Sequence, residues 1–495
     1  MSPRLAAMAL AAVLAAGCVI GPRGSASRPP FAPTVESWDW NATGREPSLT
    51  QSFGAGTMLA NVGRGELFDV TPTTYDIDGD GVDEVIAQGN DTHVHVFRLD
   101  SGRDVADLPT TIPSHWYVER VLNVVAAGVL APGEPPSLVV ANHAAYVAAW
   151  RFDRAASTTD HFAFQRTWEH RMDGCYPTPS MDAGVALADD GAGRKTILVQ
   201  TEETGIYGLA PDGTTLWHQC IGGGNAAPAV DDLDGDGRQE AIFGSDEGIL
   251  TVVDAASGQP RWAVNVATAY KTWPGSMSVT PTTAELDGQP PREVLFTARH
   301  AWSADAAVLP QEHMGIFAVH GDDKGAATVL WHLEPSWANP TSYTRLVATD
   351  SDSDGRMDIF GMDWNTIGHY PGDWERLNRS HIFRLDTAGN QVWVRTIEAW
   401  WSNKDIAVGD FDGDGRAEVL ANAPRLGSDG FWRLDAATGT TEGTLSFGDW
   451  KVLRGPAFAD LRHDGHATML VALESLATPG RGALVDVDLG GGVAA

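Results

Sequence analysis

One nine-residue pattern recurs along the 495-residue chain and constrains its fold more than any other feature: acids at positions 1, 3, 5 and 9, with a glycine at position 6. The copy with the clearest surroundings is Asp232-Leu-Asp-Gly-Asp-Gly-Arg-Gln-Glu240. Alternate residues of a tight loop can turn their oxygens inward while Gly237 lets the backbone bend, and a hard divalent cation such as Ca2+ takes about six to eight oxygens. Asp232, Asp234, Asp236 and Glu240 are therefore expected to hold calcium. Two like charges about 4 Å apart repel by roughly 4 kcal/mol at an effective dielectric of about 20, so four such acids favour a bound ion or an open loop. A merely solvated acidic turn is the other reading, and it does not require this spacing.

An EF-hand loop begins in the same way but needs a bidentate Glu at its twelfth position, between two helices. Here that position is Phe243, and the flanking Ala-Pro-Ala-Val and Ala-Ile-Phe-Gly are short apolar runs of strand type. The loop is thus expected to join two strands. Three further copies are complete: Asp76, Asp78, Asp80 and Glu84; Asp350, Asp352, Asp354 and Asp358; Asp410, Asp412, Asp414 and Glu418. Their twelfth positions are Ala87, Gly361 and Ala421, which again excludes an EF-hand. A degenerate loop at 285–293 keeps enough acids for weak binding, whereas the one at 460–468 has Arg462 at position 3. Two more turns, near 128 and 187, have lost the ligands, which brings the repeat count to eight with starts near 76, 128, 187, 232, 285, 350, 410 and 460.

Each well-formed unit reads as four short strands in a meander, and a period of about 50 residues with this content is that of a β-propeller blade. The expected fold is all-β: a propeller of four-stranded blades, eight or alternatively seven, with the calcium-binding loops between strands 1 and 2. The last unit, from Pro456 to Leu489, lacks its outer strand, which the N-terminal region from Val35 to about Val62 is expected to supply. The domain plan is a signal peptide at 1–17, a linker at 18–34 and a single propeller at 35–495.

These residues, with Phe243-Gly244 and Phe360-Gly361 after their loops, resemble the FG-GAP or VCBS repeat family, which includes the calcium-binding propeller of integrin α-chains. The resemblance implies about four structural Ca2+ sites, each adding one backbone carbonyl, at Val82, Arg238, Arg356 and Arg416. Outer strands ending in Trp217, Trp262 and Trp393 are similar to quinoprotein repeats, and their indoles are expected to pack between blades.

The N-terminus reads as an export signal. Arg4 precedes an uncharged run from Leu5 to Ala16, too short to span a bilayer. Leu14-Ala-Ala-Gly-Cys18 resembles the lipobox of bacterial lipoproteins, with Ala15 where Leu is usual, so Cys18 is the expected lipidation site. An ordinary secretory signal cut near Ala16 or Gly17 is the alternative. Either way the chain is expected to be exported, and the expected location is the bacterial cell envelope, as an outer-membrane lipoprotein or at the cell surface. Cys175 and Cys220 then remain, at nearly equivalent places in consecutive repeats, as a disulfide or as two buried thiols. A formal charge of −31 argues against nucleic acid or an anionic membrane as partner.

In an up-and-down blade the 1–2 and 3–4 turns share one face, so the calcium loops lie together and the long connections lie opposite. That opposite face is expected to carry an aromatic rim with Trp116, Trp273, Trp302, Trp364, His369, Trp400 and Trp401, joined by Trp450, as a binding surface for a protein or glycan. No catalytic constellation stands out: His93 and His95 share a strand face without a third metal ligand, and Asp363, Asp373, Glu375 and His369 only share one insertion. Three functions stay open. The first is a binding, adhesion or scaffold module; the second is a polysaccharide lyase using a basic residue such as Lys271 or Arg299; the third is a quinone-dependent dehydrogenase.

Overall fold

The computed structural model describes residues 50–51, 57–65, 71–89, 93–99, 101–110, 125–175, 181, 184–202, 204–224, 226–266, 277, 280–298, 315–322, 325–335, 337, 345–363, 379–398, 406–411, 414–422, 430–453, 455–461, 463, 468–477 and 482–488. Among the described residues, eight antiparallel sheets account for all the strands, and within each of the first six the strands follow one another in chain order, while the seventh adds one N-terminal strand at its outer edge. The fold is all-β, an eight-bladed propeller. Blade 1 consists of Thr73–Tyr75, Glu84–Gln88, His93–Phe97 and Asp104–Pro109. Blade 4 consists of Ala229–Asp231, Glu240–Gly244, Ile249–Asp254 and Pro260–Asn265. Blades 2 and 3 lie between them, starting at Ala126 and Ala186, and blades 5, 6 and 7 start at Thr282, Leu346 and Ile406.

Strand position explains strand composition. The second strand of a blade has neighbouring blades against both faces, so Glu240–Gly244 and Asp358–Met362 are buried at every residue. Fourth strands form the outer wall, and Ala327–Leu333 alternates between partly buried and exposed. The hydrophobic core is divided accordingly into eight clusters, each spanning one junction between consecutive blades. One of them joins Leu461, Leu470 and Leu484 of blade 8 to Val85, Ala87 and Phe97 of blade 1, so the ring is closed. Burying each of the Val, Leu and Phe side chains among them contributes about 1.5–3 kcal/mol.

A second device links blades on the outside. The outer-strand indoles lie over the 3–4 turn of the following blade: Trp168 donates to the Pro211 carbonyl, Trp217 to Ala255, Trp331 to Thr387 and Trp393 to Ala436, at 2.8–3.1 Å. Under each ring sits a glycine in the left-handed region, Gly213, Gly258, Gly389 or Gly439, where an added Cβ would come within 2.7 Å of the indole. Packing between blades is thus the role of Trp217 and Trp393, and Trp262 likewise closes against Gly321 of blade 5.

Blade 8 is assembled from both ends of the described chain. Ala457–Ala459, Thr468–Ser475 and Gly482–Asp488 form three strands, and Thr57–Gly65 pairs antiparallel with the last of them, Thr57 opposite Asp488 and Gly65 opposite Gly482. Just upstream, Thr50–Gln51 pairs with the outer strand of blade 7. Trp450 departs from the rim assigned to it: Trp450–Val452 is a short strand against Thr468–Ser475, and the Trp450 ring is buried among Phe447, Phe458 and Leu473. The apolar residues flanking this strand draw it into the 7–8 core. Cys175, after blade 2, is bonded to Cys220 in the outer strand of blade 3, with Cα atoms 5.1 Å apart. Among the described residues no helix is long and apolar enough to cross a membrane.

Candidate metal centres

Each acidic loop follows a short first strand and is built by its own carboxylates. The position 1 acid turns one oxygen to the amide of the glycine at position 6: Asp76 to Gly81, Asp232 to Gly237, Asp350 to Gly355 and Asp410 to Gly415, all at 2.9–3.0 Å. The position 5 acid caps the amide two residues on, as Asp236 does for Arg238 at 2.8 Å. The acid at position 9 opens the second strand and is buried; one oxygen accepts the position 2 amide, as in Ile77 to Glu84, Leu233 to Glu240 and Phe411 to Glu418. That position 2 side chain is itself core, which seats the loop on the blade. The other oxygen differs between blades: Glu240 Oε1 accepts no hydrogen bond, whereas Asp358 Oδ1 accepts from Arg384. Oxygens of Asp76, Asp78 and Glu84, of Asp232, Asp234 and Glu240, and of Asp350, Asp352 and Asp354 gather within 4.8 Å of one another. These are acidic clusters that could hold a metal ion.

Burial and mutual repulsion mark the same positions electrostatically. Removal from water pushes the Glu84 carboxyl up to about 8, with Asp78 and Asp80 adding to the rise. Glu240 is pushed up to about 7 for the same reasons. In blade 4 the fit to a cation is most direct: Asp232 Oδ1 and Glu240 Oε1 are buried and accept no hydrogen bond. Arg261 Nη2 lies 3.2 Å from Glu240 Oε1, near enough for charge attraction but outside hydrogen-bonding geometry. A cavity of about 450 Å³ opens beside this loop, lined by Asp234, Glu240, Asp254, Arg261 and Trp262 of blade 4 and by Asp322 of blade 5.

Arginines near the loops were not singled out by sequence reasoning. Arg98 donates to Asp78 at 2.8 Å and to Asp80 at 2.7 Å, and Arg154 of blade 2 reaches the Asp78 carbonyl. Arg384 bridges Asp352 and Asp358 at 2.7 and 2.8 Å. In blade 7 Arg433 bonds Glu442 at 2.7 Å and stands 3.6 Å from Glu418. A signal existed: Phe97-Arg-Leu-Asp100, Phe383-Arg-Leu-Asp386 and Trp432-Arg-Leu-Asp435 repeat an aromatic-Arg-Leu-Asp pattern across these three blades. In the degenerate loop of blade 5, His320 replaces the arginine, 2.9 Å from Glu293.

The acidic loops and the 3–4 turns share a face, as the amides of Ala255 and Ala436 bond the carbonyls of Gln239 and Ala417 in their own blades' loops. Trp116, Trp273, Trp302, Trp364, His369, Trp400 and Trp401, expected on the opposite face, lie outside the described residues, as do Asp412, Cys18, Lys271, Arg299, Asp373 and Glu375. Asp363, at the base of one insertion, is fully buried and pairs with His381 Nδ1 at 2.6 Å, with the Trp337 ring against the imidazole. His93 and His95 each turn Nδ1 to a carboxylate of the neighbouring strand, Asp107 and Asp104 respectively.

Residues 404–439 match the FG-GAP repeat model; they cover blade 7 from its first strand to the glycine under Trp393. The chain is an eight-bladed β-propeller carrying an FG-GAP repeat. The sequence matches none of the curated proteins. Among solved structures it is similar to Sqt1 of Saccharomyces cerevisiae, at 12% identity and TM-score 0.55, covering 86% of this chain and 98% of that one. Quinohemoprotein alcohol dehydrogenase from Comamonas testosteroni matches at 12% identity and TM-score 0.52, covering 89% and 77%. BamB from Moraxella catarrhalis matches at 13% and 0.50, covering 88% and 97%. At these identities the likeness is one of fold.

Proposed function

We propose that the chain is an exported, calcium-stabilised propeller that serves as a scaffold or adhesion module, binding a protein or glycan on the face opposite its acidic loops. The observation that carries this reading is the repetition of the acidic loop on one face at blade spacing, with acids at position 9 built into the core. A residue set repeated around a ring serves each blade alike and does not define a single substrate pocket. Bound calcium would supply the positive charge that lets Asp232, Asp234, Asp236 and Glu240 close together, with their counterparts doing the same in blades 1, 6 and 7. The scaffold then holds the connections of the opposite face, where loops are free to vary. Attachment to the envelope through lipidated Cys18 belongs to the same proposal, and Cys18→Ser releasing the protein from the membrane fraction would support it. The direct test is a glycan and protein array probed with calcium-loaded protein: saturable binding supports the reading, and no ligand in either class would count against it.

One observation favours an enzyme instead. Asp363, fully buried, and His381, partly buried, form a carboxylate–imidazole pair at the base of a long insertion. A His held this way is oriented for proton transfer. Ultraviolet-absorbing products from acidic polysaccharides, lost in His381→Ala, would establish a lyase.

A further inference from the structure

The acidic loops share a sequence but not an electrostatic state. In blade 1 the Arg98 guanidinium lies across Asp78 and Asp80, and in blade 6 Arg384 lies across Asp352 and Asp358. These are charge-assisted contacts to the very carboxylates a cation would need, and they are the strong kind. Blade 4 has no arginine at the matching place on its third strand, where Val252 stands. Its nearest cation, Arg261, comes from the fourth strand and hydrogen-bonds none of the loop acids, while Arg238 is drawn off to Asp254 at 2.9 Å. Glu240 is 2% exposed and lines the cavity between blades 4 and 5; its Oε1 accepts no hydrogen bond and has only the Arg261 charge 3.2 Å away. Asp232 Oδ1 is likewise buried and unpartnered.

We propose that the loops form a hierarchy: blade 4 is a primary divalent-cation site, whereas blades 1 and 6 carry a resident guanidinium that holds the loop closed and that a cation must displace. This rests on the calcium reading above and adds to it which loops need the ion. Four carboxylates that no arginine hydrogen-bonds, with Arg261 approaching only from one side, depend more on an external charge than four whose carboxylates are hydrogen-bonded by an internal arginine. The fold therefore has both ion-dependent and ion-independent staples.

The experiment is calorimetric titration of calcium into chelator-stripped full-length chain, with three variants. Asp234→Asn should remove one tight site. Asp352→Asn should leave the number of tight sites unchanged while lowering the melting temperature in chelator, because it removes one of the two carboxylates that Arg384 bridges. Arg384→Gln should add a site, with at least tenfold tighter binding in blade 6, and should make melting more calcium-dependent; Arg98→Gln gives the same reading in blade 1 if Arg384→Gln fails to fold. Equal losses from Asp234→Asn and Asp352→Asn, or no gain from removing the arginine, would overturn the hierarchy and leave the calcium reading standing. No uptake by the unmodified chain would overturn both.

Discussion

The indole of Trp393 lies flat against Gly439 of the next blade, and its Nε1 donates to the Ala436 carbonyl at 2.9 Å. The glycine has φ of +66°, and an added Cβ would meet the ring at 2.7 Å. Gly439→Ala therefore combines backbone strain with loss of the indole seat and should cost about 2–4 kcal/mol. Gly237→Ala is the comparison, since its φ of +86° carries the same strain with nothing within 4 Å of the new Cβ. Chemical denaturation of the two in chelator should separate them by at least about 1 kcal/mol; equal losses would mean the Trp contact adds nothing.

Chelation should lower the melting temperature of the intact chain by several degrees or more, because a ligand bound only to the folded state stabilises by mass action. Differential scanning calorimetry in calcium and in excess EDTA decides it. An unchanged melt would dismiss calcium as a structural element.

The pH dependence of the calcium-free chain follows from Glu84 and Glu240, whose folded values of about 8 and about 7 exceed the ordinary 4.5. Between 4.5 and those values the folded state binds more protons than the unfolded one, so stability falls as pH rises through that window. In EDTA the denaturation midpoint should be lower at pH 8.5 than at pH 5.5. Calcium should reverse the trend and release protons on binding, which titration in buffers of different ionisation enthalpy will register.

Reduction of Cys175–Cys220 opens a loop of 45 residues, for which chain entropy gives about 4 kcal/mol. Melts with and without reductant, alongside Cys220→Ser, should show a matching decrease. A loss confined to reductant and absent from Cys220→Ser would point to an effect other than this bond.

Removing the chain through residue 65 takes away the strand paired with Gly482–Asp488 and leaves blade 8 with a bare edge. The truncated chain should aggregate on size-exclusion chromatography or melt without cooperativity, and added calcium should not restore it.

Much of this architecture was legible because two features are local. An acid spacing such as Asp232 to Glu240 needs only neighbours in sequence, and the apolar run Glu240–Gly244 marks a strand covered on both faces. Counting copies then yields blades. The arginines were not legible in the same way, because Arg98 meets Asp78 only through the pairing of strands 20 residues apart, and Arg261 replaces the missing partner from a different strand. Trp450 went astray for a related reason. A large aromatic before a strand looks like a rim residue until Phe447 and Phe458 are seen to enclose it, a contact set by the blade 7 to blade 8 junction.

The closing blade also decides how the molecule bears force. A pull on the chain upstream of Thr50 reaches the ring first through the two-residue pairing of Thr50–Gln51 on blade 7, and then through the nine-residue strand Thr57–Gly65 on blade 8. The first is a weak mechanical fuse and the second a long ladder whose partner lies more than 400 residues away along the chain. Tension at the N-terminal side would peel two blades in sequence before any inner strand is loaded, so the ring would fail at its seam, with the acidic loops of blades 1, 4 and 6 still folded behind it.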